Sequence, residues 1–538
     1  MQLERIRTGL RVAGAVAALT ALMSTSALAQ GTLRVGMTAN DVPLTWGQPD
    51  NGFEGFRFVG LQMYDALINW DLTSSDQASG LIPGLAESWE VDPDDPTKWI
   101  FTLRQGVTFH DGSTFDADAV IWNFEKLFNE EAPHYSARQA SLVNFRMPGF
   151  KSVTKIDDYT VVFQTEAPDS FFPFQICYFL MASPAQFEAV GGDWNAFAAQ
   201  PSGTGPFKMV SATARERAEL VPFAEHWDPA RVPKLDKLVL LPLPDPSART
   251  AALLSGQVDW IEAPAPDAIP RIKSEDFEVV SNIYPHVWPW HFSRLEGSIW
   301  NDERVRKAAN LAVDREGIVQ LLGGYGVPAT GHVTPASPWY GEPTFELTYD
   351  PEAAKALMAE AGYGPDNPAK VKMAISASGS GQMLPLQMNE YIQQNLAAVG
   401  IEVEFMVVEW QALLDIWRAG AKSAQANGAE GVNVSYTTQD PYSTFTRFLR
   451  SDLAAPNGVN YGYFSDPEMD ALLKEAELTF DPAERDKILA QVHTKEVDEA
   501  LFLWVVHDVA PRAIAPKVKG FVPAQNWFQS LSTVYIEE

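Results

Sequence analysis

The chain contains very little cysteine. Its 538 residues include one cysteine, Cys177, and eight histidines. A lone cysteine forms no intramolecular disulfide, so the hydrophobic core has to hold this large chain together. Cys177 lies in the apolar stretch FFPFQICYFL. A buried structural thiol is more common in such surroundings than a nucleophile.

Positive charge and long apolar runs are also scarce. Lys and Arg number 40 against 69 Asp and Glu, which gives a formal net charge of −29 at pH 7. So acidic a chain is repelled by nucleic acids and by anionic membrane surfaces, and both are disfavoured as partners. After residue 29 no apolar run reaches the ~18 residues that a membrane-spanning helix needs.

The first 29 residues have the pattern of a secretory signal peptide. Three arginines precede a short apolar stretch, and Ala-Leu-Ala at 27–29 is a small-x-small cleavage sequence. We expect cleavage after Ala29 and export to the periplasm. Because no cysteine follows the cleavage sequence, we expect no lipid anchor.

The rest of the chain alternates strand patterns with helix patterns. Apolar residues at every second position, or short apolar runs, predict strands at 32–37, 98–104, 158–165, 237–243, 401–408 and 501–506. Asp-Pro pairs predict helix N-termini at Asp350, Asp466 and Asp481, since Asp caps a helix and Pro suits its first position. Residues 302–322 have one continuous helical pattern. This mixture predicts an α/β protein whose sheets are covered by helices.

A histidine beside an aspartate, His110-Asp111, is the pair that most resembles catalytic chemistry. The pair follows a strand pattern, and Gly112 completes a typical turn dipeptide with Asp111. A helix pattern begins directly afterwards, with Asp116 or Asp118 as its cap. No serine or cysteine nucleophile is indicated nearby, so we interpret the pair as scaffold.

Motifs of common enzymes and metal sites are missing throughout the sequence. It contains no H-E-x-x-H, G-x-S-x-G, phosphate-binding G-x-x-x-x-G-K or calcium-binding loop. The histidines at 110, 286, 291 and 332 have no ligand spacing. We therefore predict a protein that is not an enzyme and binds neither a metal ion directly nor a cofactor.

One long stretch resembles a known family. Residues 83–125, PGLAESWEVDPDDPTKWIFTLRQGVTFHDGSTFDADAVIWNFE, are similar to the signature of family 5 extracellular solute-binding proteins, the peptide/nickel-type receptors of ABC importers. Further blocks agree in the same order, at 201–208, 253–262, 301–331, 350–363, 460–476 and 515–521. The resemblance covers nearly all of the chain after residue 29.

The resemblance implies an α/β fold of the two-lobed periplasmic binding protein type, in its type II, large three-subdomain form. Lobe I would be discontinuous: residues 30–283, with an inserted subdomain at about 71–196, and a return at 507–538. Lobe II would comprise 284–506. The ligand cleft would lie between the lobes, with two hinge strands crossing near Tyr284 and Trp504.

The function implied is that of a periplasmic receptor. It would capture a peptide or peptide-like small solute by closure of the lobes and deliver it to an inner-membrane ABC permease with its ATPase subunits. A monomer is the expectation for the family. The alternatives are a non-peptide ligand (an opine, a sugar derivative, or a nickel or haem chelate), a chaperone-like use of the cleft, and an exported hydrolase.

The resemblance also implies a set of ligand-binding residues: Trp46, Trp288, Trp290, Trp410, Tyr436, Thr437, Asp440 and Asn460. Core packing is the alternative role for the tryptophans. In peptide-binding members an acidic residue in the block around SYTTQDPYSTF pairs with the ligand's α-amino group. Here Thr437 stands at that position, and a threonine neutralises no ammonium. Asp440 either binds a cation itself or caps a helix.

Overall fold

The computed structural model describes residues 31–537. The predicted signal peptide and its cleavage position lie outside the described residues. Within the described part, no helix is both long enough and apolar enough to cross a membrane.

A seven-stranded mixed sheet forms the first part of the molecule. Its strands, in spatial order, are Glu278–Val280, Arg512–Ile514, Trp260–Glu262, Thr32–Met37, Lys237–Pro242, Arg217–Pro222 and Phe207–Thr213. The central strand Thr32–Met37 is parallel to both of its neighbours, with Val35 opposite Leu240 and Trp260. The predicted strands at 32–37 and 237–243 are confirmed.

A second sheet is formed by later residues. Its strands, in order, are Gly326–Pro328, Phe502–Asp508, His286–Phe292, Gly431–Asn433, Ala369–Ser376 and Ile401–Val408, and Tyr436–Thr437 also pairs with His286–Phe292. The strand Phe502–Asp508 is buried along its whole length, as its apolar sequence predicts. In Ile401–Val408, Ile401 and Val403 are buried while Glu402 and Glu404 are exposed, which confirms the predicted alternation in the first half of the strand. Val407, predicted on the same buried face as Val403, is 53% exposed, so the prediction is wrong there.

Smaller sheets complete the strands. A four-stranded antiparallel sheet contains, in order, Ala86–Asp92, Asp95–Leu103, Thr160–Thr165 and Phe150–Asp157. Two-stranded sheets pair Ile68–Trp70 with Leu81–Pro83 and Val518–Lys519 with Tyr535–Ile536. Near the four-stranded sheet lie the helices Ala117–Phe128, Ala137–Val143, Pro184–Ala189 and Trp194–Ala199.

The helices begin where the capping residues predict. The longer ones in the rest of the chain are Pro246–Leu254, Glu303–Ala312, Arg315–Leu321, Pro351–Glu360, Pro385–Ala397, Trp410–Ala419, Pro467–Leu478 and Pro482–Asp498. Asp350, Asp466 and Asp481 each accept a hydrogen bond from the first turn of their helix. The single helix predicted over 302–322 is wrong. Val313 is extended and Asp314 caps a second helix through the Gly317 amide, so the pattern contains two helices.

Two short segments connect the two large sheets. We call residues 31–280 and 512–537 lobe I and residues 286–508 lobe II, after the sheet that each contains. The connections are residues 281–285 and 509–511, and the Tyr284 hydroxyl donates to Asp508 Oδ2 at 2.8 Å. The predicted lobe boundary between 506 and 507 falls inside the strand Phe502–Asp508, and Trp504 is in the middle of that strand. We therefore place the second connection later, at 509–511.

The His110-Asp111 pair lies in a turn of the scaffold. His110 is partly buried, its Nε2 lies 2.9 Å from the Gly205 carbonyl oxygen, and its Nδ1 accepts from the Gly203 amide at 3.3 Å. Asp111 accepts from the Ser113 amide and the Ser202 hydroxyl. Gly112 has φ +88°, as the turn requires. These contacts join the turn to the loop at 202–205, which agrees with the interpretation as scaffold.

Replacement of His110 by glutamine gives a testable pH dependence. Burial lowers the pKa of His110 from 6.5 to about 4. Between these two pKa values the unfolded state binds a proton at His110 and the folded state does not. The free energy of unfolding therefore decreases as the pH falls from 6.5 towards 4. We expect the stability difference between wild type and His110→Gln to shrink by about 3 kcal/mol across this window. Urea unfolding at pH 7.5, 6 and 4.5 measures it, and a constant difference would contradict the prediction.

Candidate functional site

The two lobes touch directly through a cluster of polar side chains. The Tyr178 hydroxyl of lobe I donates to Asp440 Oδ2 of lobe II at 3.1 Å. Arg146 Nη1 donates to Ser443 Oγ at 3.4 Å, and the Arg146 guanidinium lies 3.9 Å from the Tyr178 ring centroid. Arg447 Nε donates to the Ser443 carbonyl at 2.9 Å. We call Arg146, Tyr178, Asp440, Ser443 and Arg447 the interlobe cluster.

A second contact between the lobes is aromatic. The Trp527 ring of lobe I stacks on His286 of lobe II, with ring centroids 5.2 Å apart. Gly381 of lobe II approaches both rings so closely that a Cβ added there would lie 2.7 Å from His286 Nε2 and 2.9 Å from Trp527 Cη2. Phe53 joins this contact to the interlobe cluster, because its ring centroid is 5.9 Å from Trp527 and 6.2 Å from Tyr178.

A third contact lies where the four-stranded sheet meets lobe II. The Ser170 amide and hydroxyl donate to the carbonyls of Glu477 and Ala476, at 2.8 and 2.9 Å. Arg485 Nη1 donates to the Ser170 carbonyl at 3.4 Å. Together the three contacts hold the lobes against each other, so the described structure has the lobes closed.

The block around Asp440 lies at the lobe surface that meets lobe I. Asp440 Oδ1 accepts from the Ser443 amide at 2.7 Å, so it caps the following helical turn while Oδ2 contacts Tyr178. The Thr437 hydroxyl donates to the Pro285 carbonyl at 3.0 Å. The Tyr436 hydroxyl contacts His332 Nε2, and the His332 Nδ1 lies 2.6 Å from Glu496 Oε1. Asp440, Thr437 and Tyr436 are all buried.

Trp288 and Trp290 lie inside lobe II. Both are fully buried, and they pack in the core between the sheet and its covering helices. Trp288 Nε1 donates to Gln382 Oε1 at 2.9 Å, and Trp290 Nε1 donates to Asn389 Oδ1 at 2.8 Å. Their polar atoms are thus satisfied inside the lobe, and we leave both residues out of the proposed cleft.

The remaining three residues lie in separate places. Trp46 is buried under Arg138, whose guanidinium carbon is 3.8 Å from its ring centroid. Trp410 begins a helix and packs against Gly379, two residues before Gly381 in the same loop. Asn460 stabilises a turn, accepting from the Phe464 amide at 3.0 Å and donating to the Phe464 carbonyl at 2.8 Å.

Several residues of the lobe contacts were missed by the sequence analysis. Tyr178 lies in the apolar stretch beside Cys177, and no role was predicted for it. Trp527 lies near the end of the described chain, outside the blocks that carry the residue predictions. Arg447 offered the best signal, because it is the one charge in the run STFTRFL after Asp440-Pro441. No pattern in the sequence singles out Arg146 or Gly381.

Buried polar atoms without a protein partner are frequent at the lobe contacts. Among the described residues they include Arg146 Nε, Trp527 Nε1, His286 Nδ1, Ser380 Oγ, Gln439 Oε1 and Arg447 Nη2. Buried polar groups in proteins are nearly always hydrogen-bonded, and each exception needs an explanation. These atoms can donate to or accept from a polar solute between the lobes.

The electrostatics of the contacts favour binding over proton transfer. Burial lowers the pKa of Arg447 from 12.5 to about 10, so the guanidinium stays charged at neutral pH. Burial lowers the pKa of His286 to about 3, which keeps the imidazole neutral. Within residues 31–537, no three His, Cys, Asp or Glu side chains are grouped so as to hold a metal ion.

Comparison with known proteins agrees with the fold. The family model for bacterial extracellular solute-binding proteins, family 5 (middle region), matches residues 80–458. Heme-binding protein A of Haemophilus influenzae is 28% identical over 496 residues, which is 88% of this chain and 87% of that protein. The dipeptide-binding protein of Escherichia coli K12 is also 28% identical, over 86% of each chain.

A solved structure shows the same architecture. A periplasmic binding protein from Helicobacter pylori, in complex with the peptide STSA, superimposes with a TM-score of 0.80 at 22% identity, covering 94% of this chain and 98% of that one. The predicted two-lobed α/β fold is therefore confirmed. The family model covers more than two-thirds of the sequence. This match shows that the chain belongs to the family 5 bacterial extracellular solute-binding proteins.

Proposed function

We propose that this protein is a periplasmic receptor that binds a peptide or peptide-like small solute between its lobes and delivers it to an inner-membrane ABC permease. The observation that carries the proposal is the set of unpartnered buried polar atoms at the lobe contacts. Aromatic rings lie beside them, at Phe53, Tyr178 and Trp527. Apolar walls with a few fixed polar groups are the usual composition of a small-molecule site.

The short connections between the lobes support capture by closure. Hinge motion needs a few residues at element ends that absorb the backbone change, and residues 281–285 and 509–511 meet that need. The buried apolar residues of the two lobes also fall largely into separate clusters, although Phe171 of lobe I packs with a cluster of lobe II. Opening would separate Tyr178 from Asp440 and Trp527 from His286, and would admit a solute to this space.

The similar proteins are named for different solutes, so other solute classes are alternatives. Two of the similar proteins are named for heme and for dipeptides, and the solved structure holds a tetrapeptide. An opine, a sugar derivative or a metal chelate would use the same aromatic and polar walls. We propose a monomer that binds without turnover, with no hydrolase activity, since no nucleophile with an adjacent base is placed at these contacts.

Native mass spectrometry tests the proposal. The protein is expressed with its predicted signal peptide, released from the periplasm and sprayed without denaturation. We expect a protein that begins after Ala29 and carries one solute per chain, which denaturation releases unchanged. Small-angle scattering should show a smaller radius of gyration with the solute than without it. Steady conversion of the solute into a product would contradict a binding function and support the hydrolase.

A further inference from the structure

Two buried arginines in the interlobe cluster have no acidic partner. Arg146 and Arg447 are only 7% and 3% exposed. Among residues 31–537, no carboxylate oxygen lies within 4.0 Å of a nitrogen of either guanidinium, although such pairs occur at many other arginines. An uncompensated buried charge costs several kcal/mol of free energy. The pair therefore needs an explanation.

Other buried arginines without an acidic partner are satisfied in a different way. Arg249 donates four hydrogen bonds to backbone carbonyls. Arg306 and Arg315 each donate five, almost all to carbonyls. Arg146 and Arg447 instead make one hydrogen bond each, both to Ser443. Arg146 Nε and Arg447 Nη2 are buried without a partner.

Asp440, the carboxylate of the interlobe cluster, is already engaged. Asp440 accepts from the Ser443 amide and from the Tyr178 hydroxyl, so each of its oxygens has a donor. The cluster then holds two positive charges and one negative charge. Thr437, at the position where peptide-binding relatives are expected to hold an amine, donates its hydroxyl proton to a backbone carbonyl. The lobe contact thus offers donors to an anion and no free carboxylate to an ammonium.

We propose that the solute is anionic, and that an acidic group of it (a carboxylate, phosphate or sulfonate) accepts hydrogen bonds from Arg146 and Arg447. Guanidinium donors suit such oxygens in charge and in geometry. Because Arg146 belongs to lobe I and Arg447 to lobe II, one acidic group bound by both holds the lobes together. This inference rests on the proposed function and defines its solute class.

Matched pairs of compounds test the charge requirement. The probes are N-acetyl-glutamate and N-acetyl-glutamine, Ala-Glu and Ala-Gln, and glucuronate and glucuronamide, with Ala-Lys as a cationic member. Thermal shift and calorimetry are measured on the full mature protein after any bound solute has been removed by denaturation and refolding. In at least one pair we expect the acid to bind about 30-fold more tightly than its amide, the factor given by a charge-assisted hydrogen bond.

Arginine variants locate the charge requirement. Arg447→Met and Arg146→Met keep most of the side-chain volume and remove the charge, so the preference for the acid should fall below threefold. Without solute, both variants should melt at the wild-type temperature or above it, because an uncompensated charge has gone. Arg447→Lys should keep a partial preference. The matched control is Arg485→Met at the third lobe contact, whose guanidinium already has Asp486 at 3.8 Å.

Each outcome decides between the two proposals. Preference for the acid in the wild type, lost in both methionine variants and kept in Arg485→Met, supports the anionic solute. Equal or tighter binding of an amide or of Ala-Lys overturns this inference and leaves the receptor function intact. A melting temperature of solute-free Arg447→Met below that of the solute-free wild type also counts against the anionic solute. If no compound binds and native mass spectrometry finds no solute, both proposals fail.

Discussion

Replacement of Gly381 by alanine is expected to weaken solute binding roughly 100-fold, which corresponds to about 3 kcal/mol. The added Cβ would lie under 3 Å from His286 and from Trp527, the two rings that meet across the lobes. Overpacking of this kind costs about 1–3 kcal/mol, and the left-handed backbone of Gly381 adds strain. Both rings would have to move, so the lobes would close incompletely.

A variant of a second glycine separates the effect of the added Cβ from the effect of backbone strain. Gly428 of the same lobe has φ +76°, close to the +70° of Gly381, but nothing lies within 4 Å of a Cβ added there. Gly428→Ala should therefore show the backbone strain alone and bind the solute within about threefold of wild type. Calorimetry with the solute found by mass spectrometry gives the affinities, and scattering reports closure. Normal affinity in Gly381→Ala would show that this contact is not needed for binding.

Replacement of Glu262 by glutamine should destabilise lobe I by about 3–5 kcal/mol, since it leaves buried cations unpaired. Glu262 is 3% exposed and lies between two arginines. Its Oε2 pairs with Arg57, and its Oε1 accepts from Arg512 Nε at 3.2 Å and from Trp260 Nε1 at 2.8 Å. Arg57 also donates to the Trp527 carbonyl at 3.1 Å, so the loss should extend to the aromatic lobe contact.

Urea unfolding at pH 7 measures this loss, with Glu87→Gln as the control. Glu87 pairs with Arg104 at 3.6 Å on the surface, where such pairs contribute about 1 kcal/mol or less. Burial alone would raise the pKa of Glu262, but Arg512 and Arg57 outweigh it and hold the pKa below its usual value. Its stabilisation is thus lost as the pH falls through that lowered pKa, so wild type and variant should converge in acid. A loss below 1 kcal/mol at pH 7 would refute the prediction.

Local signals in the sequence were sufficient to locate several elements of the fold. The strands at 32–37 and 401–408 have the bounds that their apolar patterns predict, because a buried strand needs an apolar residue wherever it faces the core. Capping aspartates located three helix N-termini. The error at 302–322 arose because the sequence allows two roles for Asp314. It fits the polar face of one long helix, but in the structure it caps a second helix.

The cleft was harder to predict, because aromatic residues occur in cores as often as in sites. The spacing of two residues between Trp288 and Trp290 predicts that both lie on one face of a strand, and both pack in the same core. It carried no information on whether that face meets lobe I or the helix Pro385–Ala397 of its own lobe, and Asn389 of that helix receives Trp290. Tyr178 shows the reverse case, since a residue in an apolar stretch contacts Asp440 across the lobes. Whether an aromatic residue faces the other lobe or the core of its own lobe is decided by tertiary packing, which the periodicity of the sequence does not encode.

The position of the strand Arg512–Ile514 also bears on how the protein is made. It lies between Trp260–Glu262 and Glu278–Val280, so the first sheet is completed by residues that follow them by more than 230 positions. Pairing over such separations is slow, because a long loop must close before any contact is gained. Until then, both of these strands present free edges that can pair with other chains. A newly exported molecule would therefore be exposed to aggregation until residues 512–514 pair, and translation that stops before residue 512 would leave a product prone to aggregation.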